Sequence, residues 1–141
     1  MSSFKIFDIA GSGMSAQSVR LNTVASNLAN ADSVSGDPTT VYQAKQPVFE
    51  AVRAALGASA ADQASASVKI GGITTSQAPP ESRYDPGNPL ADDQGYVYAP
   101  NINVVEQMTD MISASRSYQN DVEVMNTARE MMLATLKLGQ S

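Results

Sequence analysis

Catalysis and ligand capture need a nucleophile, a proton carrier, a metal-ligand set or a phosphate cradle, and the 141 residues of this chain offer few candidates. Asp85, Asp92 and Asp93 form the one acidic cluster outside a helical pattern. Carboxylate oxygens of that kind suit a divalent cation, but the spacing matches no calcium loop, so solvated loop carboxylates are expected. Serine is abundant, yet there is no histidine to activate one and no Gly-x-Ser-x-Gly elbow. For a serine–lysine pair, Lys5, Lys45 and Lys137 all stand in unremarkable contexts. Gly11-Ser12-Gly13 and Gly71-Gly72 lack the Gly-x-x-x-x-Gly-Lys-Ser/Thr pattern of a phosphate loop. Without cysteine or histidine, disulfides, thiol catalysis and thiolate or imidazole metal sites are excluded. The expectation is a protein that is not an enzyme and carries no cofactor.

What the sequence does carry is a pair of apolar stripes. Phe7, Ala10, Met14, Gln17, Leu21, Val24 and Leu28 step by alternating threes and fours near the start. Met108, Met111, Ser115, Tyr118, Val122 and Met125 do the same near the end, followed by Met132 and Leu136. All seven prolines fall between Pro38 and Pro100. Proline removes a helix hydrogen bond and clashes with the preceding turn, so the proline-free flanks read as helices and the middle as an irregular insert. The predicted fold is mainly α with a small β or irregular insert, its long terminal helices forming a coiled coil. The boundaries are 1–31 for the first helix, 32–102 for the insert and 103–141 for the second helix. Stripes this narrow suit a coiled-coil seam, so each helix needs a partner.

Composition narrows the partners. The length suits one domain, but aromatics make up 6% and tryptophan is absent. Alanine, valine and methionine bury little area per residue, so some stability is expected from neighbouring molecules. The net charge of −5 is spread as roughly +1, −4 and −2 over the three segments. No basic patch is present to neutralise phosphates, which argues against nucleic acid. An anionic membrane surface would repel the chain, and no apolar run approaches a bilayer span. Lys5 is the lone early cation, with no 7–15-residue apolar block after it, so a cleaved signal peptide is not expected.

Along the chain, Gly11 and Gly13 interrupt the first helix, each costing about 1 kcal/mol against alanine. Either the first turn is frayed or kinked, or the N-terminus is soft and orders on docking. Residues 32–40 are turn formers. Val41–Val52 reads as a strand, with Pro47 placing it at an edge, and residues 54–67 as a low-complexity loop. Val68–Thr75 reads as a second strand with a turn or bulge at Gly71-Gly72. Residues 78–100 look irregular, with a turn at Asp85-Pro86-Gly87-Asn88 and a short strand at Gly95–Tyr98. Asn103 is a predicted N-cap, with Glu106 closing a capping box, and Gly139 ends the second helix. Arg129 falls in the heptad seam, so either the register shifts there or its stem is buried with its head paired. The five methionines from Met108 to Met132 serve either ordinary packing or an adaptable surface between copies.

Two segments carry a family resemblance. Ala25-Ser26-Asn27-Leu28-Ala29-Asn30, ending an amphipathic N-terminal helix, resembles the bacterial flagellar rod, hook and hook-associated axial proteins. Asp85–Pro89, Gly95–Val97, Pro100–Met108 and Ala114–Asn120 are similar to a proximal rod subunit of that family. The resemblance implies a structural rod subunit that transmits motor torque. It implies export by the flagellar type III apparatus without a cleaved signal and assembly in the periplasm into a helical tube of terminal helices. Implied partners are copies of itself, other rod proteins, basal-body adaptor proteins and the export apparatus. The expected assembly residues are Phe7, Met14, Leu21, Val24, Asn27, Leu28 and Asn30, with Met108, Met111, Tyr118, Val122, Met125 and Met132. Asn27 and Asn30 are expected to cap the helix end locally, or else to bridge to a neighbouring subunit. Two rivals stand beside this reading: a helical secretion chaperone or adaptor, which predicts a discrete dimer, and another rod- or hook-type subunit.

Overall fold

A computed structural model of the chain describes residues 3–53 and 66–139. Helix α1 (Ser3–Ala29) and helix α2 (Val104–Leu138) flank four strands, β1 (Lys45–Arg53), β2 (Ala66–Thr75), β3 (Glu81–Tyr84) and β4 (Tyr96–Ala99). Arg20 meets Asp110, Asn27 meets Gln107 and Gly13 lies against Asp121, so the helices run antiparallel along each other.

Each helix end has a chemical cause. At the start of α2 the Asn103 side-chain oxygen accepts the backbone N–H groups of Val105 and Glu106, at 3.1 and 3.2 Å. These are two of the donors a helix leaves unpaired. The return bond from Glu106 is not among the bonds of the described residues, so half of the expected box forms. At the end of α1 the Asn30 side chain donates to the Ser26 carbonyl at 2.8 Å, and its backbone N–H reaches the same oxygen. The cap therefore belongs to Asn30, in a right-handed backbone: no described residue other than Gly95 has positive φ. Helix α1 continues unbroken through Gly11 and Gly13.

The helix contact is made by small residues. Ala10, Ala16 and Val24 of α1 and Ala114 and Ala128 of α2 are buried, while the larger stripe residues flank them half-exposed. Small side chains let two helix axes approach closely. Buried Thr23 satisfies its hydroxyl by donating to the Val19 carbonyl at 2.8 Å.

The heptad stripe of α2 is corrected at three places, Met108, Arg129 and Leu136, the last 61% exposed. Met108 is 54% exposed, and Arg129 is exposed while its neighbour Ala128 is buried. The buried residues of α2, Gln107, Ala114 and Ala128, are seven and fourteen apart, so the contact keeps one heptad phase and that phase lies one residue before Met108 and Arg129. Met111, Tyr118, Met125 and Met132, at the stripe's other position, are half-buried along its whole length. At Arg129 neither expected reading holds: its side chain is exposed, and the buried phase runs through Ala128 without a shift.

Strands β1 and β2 pair antiparallel from Lys45↔Thr75 to Arg53↔Ala66. Val48 faces Gly72 but Phe49 faces Ile70, which leaves Gly71 as the extra residue of a bulge, in the expected place. The first strand begins at Lys45, four residues later than expected, and Ala66 and Ser67 join β2. The rest of the expected 54–67 loop lies outside the described residues. In a two-stranded sheet both strands are edges, which accommodates Pro47. Strands β3 and β4 form a second antiparallel pair, tied to the loop after α1 by reciprocal backbone bonds between Ser35 and Tyr98. Strand β3 falls within the stretch expected to be irregular. Val97, Ala99 and Pro100 are buried where this sheet runs into α2.

Candidate assembly surface

Three contacts fix how the terminal helices present themselves. Asn27, 1% exposed, spends its whole amide inside the chain. Its nitrogen donates to Gln107 Oε1 of α2 and to the Lys45 carbonyl, each at 2.9 Å. Its oxygen accepts the Lys45 backbone N–H at 2.9 Å and the Tyr42 hydroxyl at 3.0 Å. One side chain thereby joins α1, α2 and the start of β1. The local cap expected of Asn27 is not formed, and no atom of its amide is left over for a neighbour.

One to two turns further along, Arg20 Nη2 pairs with Asp110 Oδ1 at 2.8 Å, with the two side chains 25% and 42% exposed. Water screens such a pair, so it steers register more than it stabilises. At Gly13, an added Cβ would stand 2.7 Å from Asp121 Oδ2. The missing side chain therefore makes room for the Asp121 carboxylate in a seam rich in alanines, Ala10, Ala16, Ala114 and Ala128. Burial pushes that carboxyl up from its ordinary value, and no described residue gives it a hydrogen bond or an ion pair.

Of the residues expected to mediate assembly, Val24 and Asn27 are buried between elements of the chain. Phe7, Met14, Leu21, Leu28 and Asn30 of α1 are half-buried. So are Met111, Tyr118, Val122, Met125 and Met132 of α2. Met108 faces outward with Val105 and Ile112, residues spaced by three and four and therefore on one helix face. Near the other end of α2, Met131, Leu133 and Leu136 are exposed as well. The stripe rule passed over Val105, Ile112 and Leu133; a search for apolar residues left outside the seam would have found them.

The acidic loop has a different use. Asp92 accepts the backbone N–H groups of Gln94 and Tyr96 at 2.9 and 2.8 Å and the Tyr98 hydroxyl at 3.2 Å. The Tyr96 N–H is the main cause holding its carboxyl below the ordinary aspartate value, and burial opposes it. Asp85 takes the Asn88 side-chain amide at 3.3 Å. Among the described residues no three acidic side chains are grouped to hold a metal ion. No described helix is long and apolar enough to cross a membrane.

Comparison with known proteins falls on the same segments. A family model described as flagella basal body rod protein matches residues 7–36. One described as flagellar basal body rod FlgEFG protein C-terminal matches residues 93–138. Proteins called flagellar basal-body rod protein FlgC from Escherichia coli O157:H7 and Salmonella typhimurium are each 56% identical over 140 residues. That is 99% of this chain and 100% of either relative. The FlgC of Aquifex aeolicus is 41% identical over 138 residues, 97% of both chains. The C-terminal model bears the name of other subunits, but the full-length relatives decide the subunit type, and they do not favour the chaperone reading. The chain belongs to the FlgC family of flagellar basal-body rod proteins.

Proposed function

We propose that the chain, a structural rod subunit by its family, polymerises through its terminal helices into a helical tube that transmits motor torque. Residues 1–31 and 103–141 act as one assembly unit, and residues 32–102 are the insert it carries. The observation that carries this reading is the apolar surface α2 keeps outside its contact with α1: Val105, Met108 and Ile112 at one end, Met131, Leu133 and Leu136 at the other. Apolar side chains in groups are covered in the working state of a protein, and here neighbouring helices complete a coiled coil over them. A contact between two different surfaces, repeated by a rotation that does not close, builds a filament. Its neighbours are copies of itself and other rod and adaptor proteins of the basal body. The export apparatus delivers it to the periplasm without a cleaved signal. The chain is not an enzyme in this reading; in its acidic loop the Asp92 carboxylate is occupied in holding a backbone turn.

The test is to restore the chain to cells that lack it and isolate their basal bodies. Recovery of swarming, with the chain retained in the rod, is expected. A chain found only as a discrete soluble dimer, absent from basal bodies that assemble without it, would favour a chaperone or adaptor instead.

A further inference from the structure

Beside Asp121 an open apolar groove of about 230 Å³ is lined by Ile6, Ile9 and Ala10 of α1 and Val124 of α2. Asp121 is the one polar residue of its lining, and its carboxylate has no hydrogen-bond or ion-pair partner among the described residues. A carboxylate without a partner beside an apolar groove attracts a cation carried on an apolar segment. The chain displays such a segment. From Val124, beside Ile6 and Ile9, α2 runs fourteen residues to Leu138, while α1 reaches back only to Ser3. At about 1.5 Å per residue this leaves roughly ten residues of α2 beyond the described α1. From Arg129 to Gly139 every residue but Met132 is exposed. Arg129, Leu133 and Lys137 are spaced by fours and Leu136 stands three beyond Leu133, so the four share one face, with Leu133 48% and Leu136 61% exposed.

We propose that the groove of one copy receives the projecting end of α2 from a second copy, Leu133 and Leu136 filling it and Lys137 pairing with Asp121. Groove and projection lie on different parts of each molecule, so every docked copy offers a fresh projection and the contact propagates. The proposal rests on the rod-subunit reading and names the joint through which copies meet. It also gives Gly13 a use: the gap opposite it accommodates the carboxylate that faces the incoming lysine.

The test uses the full chain in motile cells, with cysteines placed at Ile9→Cys and Leu136→Cys in a sequence that has none. Within one copy Leu136 stands twelve residues past Val124, about 18 Å along the axis. A disulfide needs Cα atoms within roughly 7 Å, so an intramolecular bond is excluded. Mild oxidation of basal bodies is expected to give a ladder of covalent dimers and higher oligomers, and neither single variant should give one. Rods that assemble with the double variant but stay monomeric on oxidation would overturn the joint and leave the rod reading intact. If the double variant does not assemble, a charge exchange decides. Asp121→Lys should lower swarming at least tenfold, and adding Lys137→Asp should restore half or more of it; additive loss would overturn the joint. Absence of the unmodified chain from basal bodies would instead defeat the rod reading itself.

Discussion

The Asn27 amide nitrogen lies 2.9 Å from Gln107 Oε1, across the interface between two helices and eighty residues of chain. Both side chains are buried, and Asn27 also holds the backbone of Lys45 through both its donor and its acceptor. A buried amide with all its partners fixes one arrangement of its neighbours, because any other leaves polar groups unpaired. Here that arrangement sets the helix pair against the root of the β1–β2 hairpin.

Removing Asn27 should therefore destabilise the free chain as well as impair assembly. Asn27→Ala strands the Gln107 carbonyl and the Lys45 backbone groups, at a cost of about 2–3 kcal/mol. Urea unfolding of the purified monomer checks this. An unchanged midpoint would show that the bracket contributes nothing to the folded monomer.

The two glycines of α1 should part company. No atom lies within 4 Å of a Cβ built at Gly11, so Gly11→Ala should gain about 0.5–1 kcal/mol from helix propensity alone. At Gly13 the same change meets the Asp121 carboxylate at 2.7 Å and forces it to swing aside. Thermal melts should show Gly11→Ala above the parent and Gly13→Ala at or below it. Equal gains would mean that α2 does not press on Gly13.

Asp121 should make the free chain more stable in acid than an unperturbed carboxylate would. Burial raises its folded-state pKa, so its contribution is complete below the ordinary aspartate value of 3.8 and is lost as pH rises through the raised value. Asp121→Asn should then stabilise the dilute monomer at neutral pH, with the advantage fading below pH 4. A variant whose advantage does not change with pH would contradict this account.

Asp92 has the opposite sign. The backbone N–H of Tyr96 leads the interactions that depress its pKa. Its contribution is present above 3.8 and is lost as pH falls through the lowered folded value. Asp92→Ala should speed amide exchange at Gln94 and Tyr96 severalfold while leaving the α1–α2 seam protected. Unchanged exchange at Tyr96 would show the carboxylate to be dispensable to the turn.

Local features proved the most legible in the sequence. The Asn103 cap, the bulge at Gly71 and the confinement of proline between the helices each follow from chemistry within a few residues. The Asn27–Gln107 bond was not legible, since neither amide announces a partner eighty positions away. Strand β3 escaped because Glu81–Tyr84 is wholly exposed and shows no alternation. The seam itself was misjudged toward large residues. A narrow stripe names a helix face, but the closeness of the helices is set by Ala10, Gly13, Ala16 and Ala114, which hydrophobicity ranks low. Met108 and Arg129 lie outside the contact because its buried line, Gln107, Ala114 and Ala128, runs one residue before the stripe that hydrophobicity picks out.

Amide exchange on the dilute monomer and on isolated rods tests the central claim most directly. In both states the segments around Asn27 and Gln107 should be protected, because their contacts lie within one copy. Residues 129–138 should exchange quickly in the monomer and become protected only in the rod. If that end of α2 is already protected in the dilute monomer, or remains unprotected in the rod, assembly through the terminal helices is contradicted.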